Sequence, residues 1–120
     1  MMSEPTVLVV EDEPLLRMAA LDMLEDAGYE AVGARSSEAA LKILRTCPSI
    51  RVLFTDVDLG RGQDGLWLAA QVRDGWPPVG IIVTSGHRHV AKAQMPEGAT
   101  FFGKPYLEEM IISEVHRLVA

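Results

Sequence analysis

The chain has 120 residues, of which 48% are hydrophobic, and this length is enough for one cored domain but too short for two. Its formal net charge is -6 and no basic face is segregated in the sequence, which argues against direct binding to nucleic acid. Acidic residues flank the apolar stretch Val7–Val10, so neither a signal peptide nor a membrane span is expected. Cys47 is the single cysteine, which agrees with a reducing, cytosolic compartment.

Short apolar runs alternate with segments of helical periodicity along the chain. The predicted strands are Val7–Val10, Glu30–Ala34, Val52–Asp56, Ile81–Thr84 and Thr100–Gly103. The predicted helices are Leu15–Ala27, Ser37–Thr46, about Leu66 to Asp74, a short one within His87–Ala93, and Leu107–Val119. The helix between the last two strands is short because Pro96 interrupts it. The sequence therefore predicts five βα units in a single domain over residues 1–120.

Strands that alternate with helices predict an α/β fold, with a parallel sheet and helices on both of its faces. In open sheets of this kind, ligands bind beyond the carboxyl ends of the strands. The residues at those ends are therefore the first candidates for a functional site.

Polar side chains stand at four of the five predicted strand ends. Glu11 and Asp12 follow the first strand, Asp56 ends the third, Thr84 ends the fourth and Lys104 follows the fifth. Three carboxylates at one edge repel each other unless a cation lies among them, and oxygen ligands favour Mg²⁺. A lysine and a hydroxyl beside that ion add donors for a phosphoryl group, with Asp56 on the central strand as the predicted nucleophile.

Each of these residues taken alone has an ordinary structural explanation. Acidic residues often cap helices, threonine favours strands, and surface lysines are usually solvated. Their common position at one sheet edge favours the functional interpretation over chance.

The ordered motifs of the chain resemble those of response regulator receiver domains over essentially its whole length. These motifs are Val9–Pro14, Asp56, Asp64-Gly65, Thr84–Gly86 and Lys104-Pro105. The resemblance implies a single doubly wound, five-stranded parallel sheet of the flavodoxin-like order 2-1-3-4-5.

The resemblance also implies how the acidic residues divide the chemistry. Glu11 and Asp12 would form the acidic pair of the family. Asp12 and Asp56 would bind Mg²⁺ together with the backbone carbonyl of Asp58, and Asp56 would accept the phosphoryl group.

The remaining motif residues would respond to that phosphoryl group. Thr84 would contact it as the switch hydroxyl, and Lys104 would pair with it. Phe101 falls at the position of the switch aromatic of the family. The Lys104–Pro105 peptide bond is expected to be cis.

The implied function is that of a phosphoacceptor switch in a two-component system or phosphorelay. A sensor histidine kinase or histidine phosphotransfer protein would donate the phosphoryl group in a Mg²⁺-dependent reaction, and a downstream protein partner would receive the signal. Beyond self-catalysed phosphoryl transfer and slow autodephosphorylation, no enzymatic activity is expected. The resemblance implies a cytoplasmic monomer or weak dimer that binds neither membranes nor nucleic acid.

The loop from Asp56 to Gly65 departs from the family pattern. It carries Gly60 where the family commonly has proline, and it is about one residue longer than usual. Asp58 adds a negative group near the path of an attacking water, which predicts an altered phosphoryl lifetime.

Alternative functions start from single features of the sequence. Asp56-Val57-Asp58 after an apolar strand resembles the nucleophile motif of haloacid dehalogenase-type phosphatases, although such enzymes place it on the first strand. A flavodoxin-like cofactor carrier would share the fold, but Glu11–Glu13 would repel a phosphate there. The dispersed histidines His87, His89 and His116 do not have metal-ligand spacing. A receiver module from a hybrid kinase or a longer regulator would have the same sequence features.

Overall fold

The structure, a computed structural model, describes residues 4–86, 90 and 92–120. Five strands are present in this part of the chain: β1 (Thr6–Val10), β2 (Glu30–Ala34), β3 (Ile50–Asp56), β4 (Gly80–Ser85) and β5 (Thr100–Gly103). The described residues also form the helices α1 (Pro14–Asp26), α2 (Ser37–Thr46), α3 (Gly65–Gly75) and α4 (Glu108–Val119).

The strands form one parallel sheet in the order β2-β1-β3-β4-β5. The predicted α/β fold and its strand order are therefore confirmed. Val7–Val10 are at most 2% exposed, as expected for a strand covered on both faces.

The helices cover the two faces of the sheet in pairs. Residues of α2 and α3 pack on one face, where Leu44 and Leu68 join the core with Leu53 of β3. Residues of α1 and α4 pack on the other face, where Leu24 and Ile111 join Phe54. The sheet thus lies between two cores, and its carboxyl edge is shared by both.

Side-chain caps explain where three of the helices begin. Glu13 accepts hydrogen bonds from the backbone N–H groups of Leu15 and Leu16 at the start of α1. Ser36 accepts one from Ala39 in α2, and Asp64 accepts one from Trp67 in α3. The observed helix ends differ from the predicted ones by about one residue, the usual uncertainty of helix termini.

The connection between β4 and β5 differs from the prediction where the structure describes it. The predicted helix at His87–Ala93 lies largely outside the described residues. Within them, Ala93 belongs to a three-residue 3₁₀ helix, Lys92–Gln94, so the described part contains four α-helices and not five. Pro96 follows and accepts a hydrogen bond from the N–H of Ala99, which turns the chain into β5.

Among the helices described here, none combines the length and apolar character that crossing a bilayer requires.

Candidate functional site

The candidate site lies at the carboxyl edge of the sheet. Asp56 and Thr84 are direct partners in the register of β3 and β4. They open on a cavity of about 480 Å³ whose polar lining includes Glu11, Asp56, Thr84 and Lys104. The apolar part of its lining includes Leu16, Ala19, Ala20, Phe54, Pro105 and Tyr106.

An acidic cluster forms the polar end of this site. One carboxylate oxygen from each of Glu11, Asp12 and Asp56 lies within 4.8 Å of the other two. Asp56 Oδ1 is buried, and no group among the described residues hydrogen-bonds to it. Buried polar atoms normally have a partner, so an unpartnered carboxylate oxygen in such a cluster fits a hard divalent cation.

Three groups donate hydrogen bonds to Glu11. Its Oε1 accepts from Lys104 Nζ at 3.2 Å, and its Oε2 accepts from the backbone N–H of Glu13 at 3.2 Å. Its backbone carbonyl accepts from Arg17 Nη1 at 2.9 Å. Because both carboxylate oxygens already have partners, Glu11 is less available to a ligand than Asp12 or Asp56.

Lys104 joins the end of β5 to the acidic cluster. Its Nζ lies 3.2 Å from Glu11 Oε1 and 3.4 Å from Asp56 Oδ2. Its backbone N–H donates to the carbonyl of Ser85, and the Lys104–Pro105 peptide bond is cis. One ammonium therefore faces two carboxylates, and the third, on exposed Asp12, adds further negative charge.

Burial and charge shift the pKa values of these groups in opposite ways. Burial raises the pKa of Glu11 and of Asp56. The Glu13 N–H and the Lys104 ammonium only partly offset this for Glu11, and the Lys104 ammonium does so for Asp56. Burial alone would lower the pKa of Lys104, but the charges of Asp56 and Glu11 outweigh it and raise that pKa. The carboxylates thus gain a proton more readily than in water, while the lysine stays charged.

The loop Val57–Asp64 carries the remaining predicted ligand. The Val57 N–H donates to the Thr84 carbonyl at 2.8 Å and so ties the start of this loop to β4. Gly60 has φ of +70°, which a proline ring cannot adopt, so the departure from the family pattern has a backbone cause. A Cβ at Gly60 would lie 2.9 Å from Asp12 Oδ2, which shows how closely the loop passes the acidic cluster.

The predicted switch residues are only partly brought together. Thr84 is buried and lines the cavity. Phe101 is half-buried against the core on the side of α2 and α3, and its partner in the register is Val83. Neither Phe101 nor Asp58 is among the residues that line the cavity.

Some residues of the site carried no signal in the sequence. Arg17 contacts the backbone of the acidic turn, and Tyr106 makes an edge-to-face contact with Phe54 in the lining of the cavity. Nothing in the sequence spacing of Arg17 and Tyr106 marks them as residues of the site. His116 hydrogen-bonds with the hydroxyl of Tyr29, whereas His87 and His89 lie outside the described residues.

The fold and the site together define a flavodoxin-like α/β protein with an acidic, lysine-containing site at the carboxyl edge of its sheet. The model of the response regulator receiver domain family matches residues 7–116. The chain belongs to this family.

A curated relative and two solved structures support this family assignment. The nitrogen assimilation regulatory protein NtrX of Azorhizobium caulinodans is 33% identical over 111 residues, which are 88% of this chain and 24% of that protein. The receiver domain of NtrX from Brucella abortus matches with 29% identity and a TM-score of 0.83, over 94% of this chain and 97% of that one. A response regulator receiver protein from Pseudomonas putida matches with 29% identity and a TM-score of 0.84, over 98% and 99% of the two chains.

The chain spans 24% to 43% of the length of the first curated relatives that it matches. The family assignment does not favour the alternative of a haloacid dehalogenase-type phosphatase. Receiver domains of response regulators are signalling modules rather than conventional enzymes.

Proposed function

We propose that residues 1–120 act as a phosphoacceptor switch in a two-component system or phosphorelay. Asp56 accepts a phosphoryl group from a phosphohistidine of a sensor kinase or histidine phosphotransfer protein. One observation carries this proposal: the partly buried Asp56 carboxylate has Oδ2 3.4 Å from Lys104 Nζ, and its buried Oδ1 has no hydrogen-bond partner among the described residues. Such a carboxylate is placed to act as a nucleophile beside a permanent positive charge.

Mg²⁺ is the cofactor that fits this donor set. Asp12, Asp56 and the backbone carbonyl of Asp58 would hold it, with Glu11 as the third carboxylate of the acidic cluster. When bound, the ion neutralises charge on the phosphoryl oxygens. The fit rests on the acidic cluster and on the unpartnered Asp56 oxygen.

The protein's own groups account for the transfer. The Asp56 carboxylate forms a bond to phosphorus while the bond between phosphorus and the imidazole nitrogen breaks, and the donor imidazole keeps the electron pair. Lys104 exchanges part of its contact with the carboxylates for the phosphoryl oxygens. The Thr84 hydroxyl donates to the same oxygens, and Phe101 adjusts its packing in response.

The proposed setting is the cytoplasm, where the domain signals to a downstream protein as a monomer or weak dimer. We propose no direct contact with nucleic acid or membrane. The net charge of -6 supports this, because a phosphate backbone would be repelled.

Intact mass spectrometry tests the proposal. The wild-type chain is incubated with a small phosphodonor, with and without Mg²⁺, beside the variants Asp56→Asn and Asp58→Asn. We expect one base-labile phosphoryl adduct that requires Mg²⁺, is present in Asp58→Asn and is absent in Asp56→Asn. Phosphoryl labelling of the Asp56→Asn variant to the wild-type level would contradict the assignment of Asp56 as the phosphoacceptor. Rapid, repeated hydrolysis of a phosphomonoester that stops in Asp58→Asn would instead support the phosphatase alternative.

A further inference from the structure

A hydroxyl from α2 holds the far end of the loop Val57–Asp64. Ser37 is the first residue of α2 and is 0% exposed. Its Oγ donates toward the carbonyls of Gln63 at 2.9 Å and Asp64 at 3.2 Å. Because a serine hydroxyl has a single hydrogen, the two carbonyls share it. The start of α2 is thereby joined to the last two residues before α3.

A second contact joins the same two elements. The Glu38 carboxylate oxygens lie 3.1 Å from the position that a Cβ would occupy at Gly62. Gly62 has φ of +84°, a conformation that favours glycine. The loop therefore fits closely against the first turn of α2, and Ser37 provides the hydrogen bond within this contact.

The other parts of the loop lead directly to the acidic cluster. Its first residue, Val57, is tied to Thr84, and its middle passes Asp12 at Gly60. Asp58, whose carbonyl is the proposed Mg²⁺ ligand, lies between these two points. An anchor at Gln63 and Asp64 thus limits the conformations available to the segment that carries Asp58.

We propose that Ser37 is a positioning residue for the Mg²⁺ site. The Gly65 N–H closes this loop onto the Val57 carbonyl at 2.8 Å, and the Ser37 hydroxyl fastens its far end to α2. Because the loop is about one residue longer than the family pattern, this second attachment helps keep the Asp58 carbonyl where it can act with Asp12 and Asp56. Ser37 does not touch the ion or the phosphoryl group. This inference rests on the proposed function, because it requires that the acidic cluster binds Mg²⁺.

Isothermal titration with Mg²⁺ on the full chain tests the role of Ser37. In Ser37→Ala the Kd for Mg²⁺ should rise about three- to tenfold, the effect of losing one net hydrogen bond that favours the binding-competent loop. At saturating Mg²⁺ the rate of Asp56 labelling should return to within about twofold of wild type, because Asp56 and Lys104 are unchanged.

Ser36→Ala is the matched control. It removes the α2 cap to Ala39 and lowers the free energy of unfolding, but it leaves the loop contact intact. Its Kd for Mg²⁺ should stay at the wild-type value. If Ser36→Ala weakened Mg²⁺ binding as much as Ser37→Ala does, the effect would be one of helix stability and the inference would be wrong.

A second substitution covers the case in which Ser37→Ala does not fold. Ser37→Cys keeps a side chain of similar shape and replaces the hydroxyl by a weak donor, so its Kd should also rise. A wild-type Kd in either folded variant contradicts the role of Ser37. Failure of the wild-type chain to bind Mg²⁺ and to be labelled on Asp56 contradicts the proposed function itself.

Discussion

Two connections border the same acidic cluster, and they are held in different ways. The turn between β1 and α1, Glu11–Glu13, is stabilised from within: Glu11 accepts the Glu13 N–H, and Glu13 caps α1. The loop Val57–Asp64 is closed by a hydrogen bond from the Gly65 N–H to the Val57 carbonyl. It is also held from outside, by the Thr84 carbonyl at one end and the Ser37 hydroxyl at the other. Glu11 also accepts from Lys104 and Arg17, so the short turn has partners both within and outside it. The long loop differs in that its outside partners lie at its two ends, in β4 and α2.

The difference separates a supporting carboxylate from a reactive one. Both oxygens of Glu11 have partners before any ligand binds. Asp56, the last residue of β3, keeps Oδ1 without a hydrogen-bond partner among the described residues, directly before the loop Val57–Asp64. Within one cluster, Glu11 therefore has hydrogen-bond partners for both of its carboxylate oxygens, whereas Asp56 has an oxygen available to a ligand.

The largest expected effect separates Asp12 from Lys104 in Mg²⁺ binding. Asp12→Ala removes a charged oxygen of the cluster and should weaken Mg²⁺ binding by about tenfold or more, since close unit charges interact by about 1–4 kcal/mol. Lys104→Ala removes a positive charge from the same cluster and should keep or strengthen Mg²⁺ binding, while phosphoryl signalling becomes poor. Calorimetric titration measures the Mg²⁺ affinity of both variants. An equal loss of Mg²⁺ affinity in Asp12→Ala and Lys104→Ala would show that this division of roles is wrong.

A smaller effect is expected on stability when Asp56 loses its charge. Without Mg²⁺, Asp56→Asn should raise the free energy of unfolding by about 1 kcal/mol at neutral pH, because one ammonium faces two carboxylates in a cluster of three, and Glu11 remains to pair with Lys104. Burial raises the pKa of Asp56, so between its unfolded and folded pKa the folded state binds more protons than the unfolded state. Stability from this group is therefore lost as pH rises through that interval.

The gain from Asp56→Asn should consequently be largest at neutral pH and disappear below about pH 4, where the aspartate is protonated in both states. Urea unfolding of wild type and variant in a chelator, at neutral and at acid pH, measures it. A variant that is less stable than wild type at neutral pH would mean that the ion pair with Lys104 outweighs the burial of the carboxylate.

The smallest effect tests whether the short turn is independent of the site. Glu13→Ala removes an exposed helix cap and should cost about 0.5–1 kcal/mol of stability. Mg²⁺ affinity should be unchanged, because Glu11 is held by the backbone N–H of residue 13, which the substitution keeps. Thermal unfolding and Mg²⁺ titration of the same variant provide the two readouts, and a coupled loss of both would place Glu13 within the site.

The sequence predicted the sheet and the polar residues at its edge because both depend on local patterns. Apolar runs mark the strands, and in a parallel sheet their carboxyl ends must meet. Contacts such as the one from Ser37 to Gln63 join residues 26 apart and leave no periodic signal. Likewise, the position of the exposed Glu13 in the sequence is equally compatible with a metal ligand. Only the hydrogen bonds that its side chain accepts from the N–H groups of Leu15 and Leu16 identify it as the N-cap of α1. The φ of Gly60 was also hidden, since the sequence shows a missing proline but not why it is missing.

The contact between Lys104 and Glu11 also bears on how the domain folds. These two residues are 93 positions apart, so their ion pair closes one of the longest loops in the chain. Three carboxylates come together once β1 and β3 are paired, but the ammonium arrives only with the edge strand β5. A folding intermediate without β5 would hold the acidic cluster without its counter-charge, and docking of that last strand would complete the sheet and offset part of the negative charge in the same step.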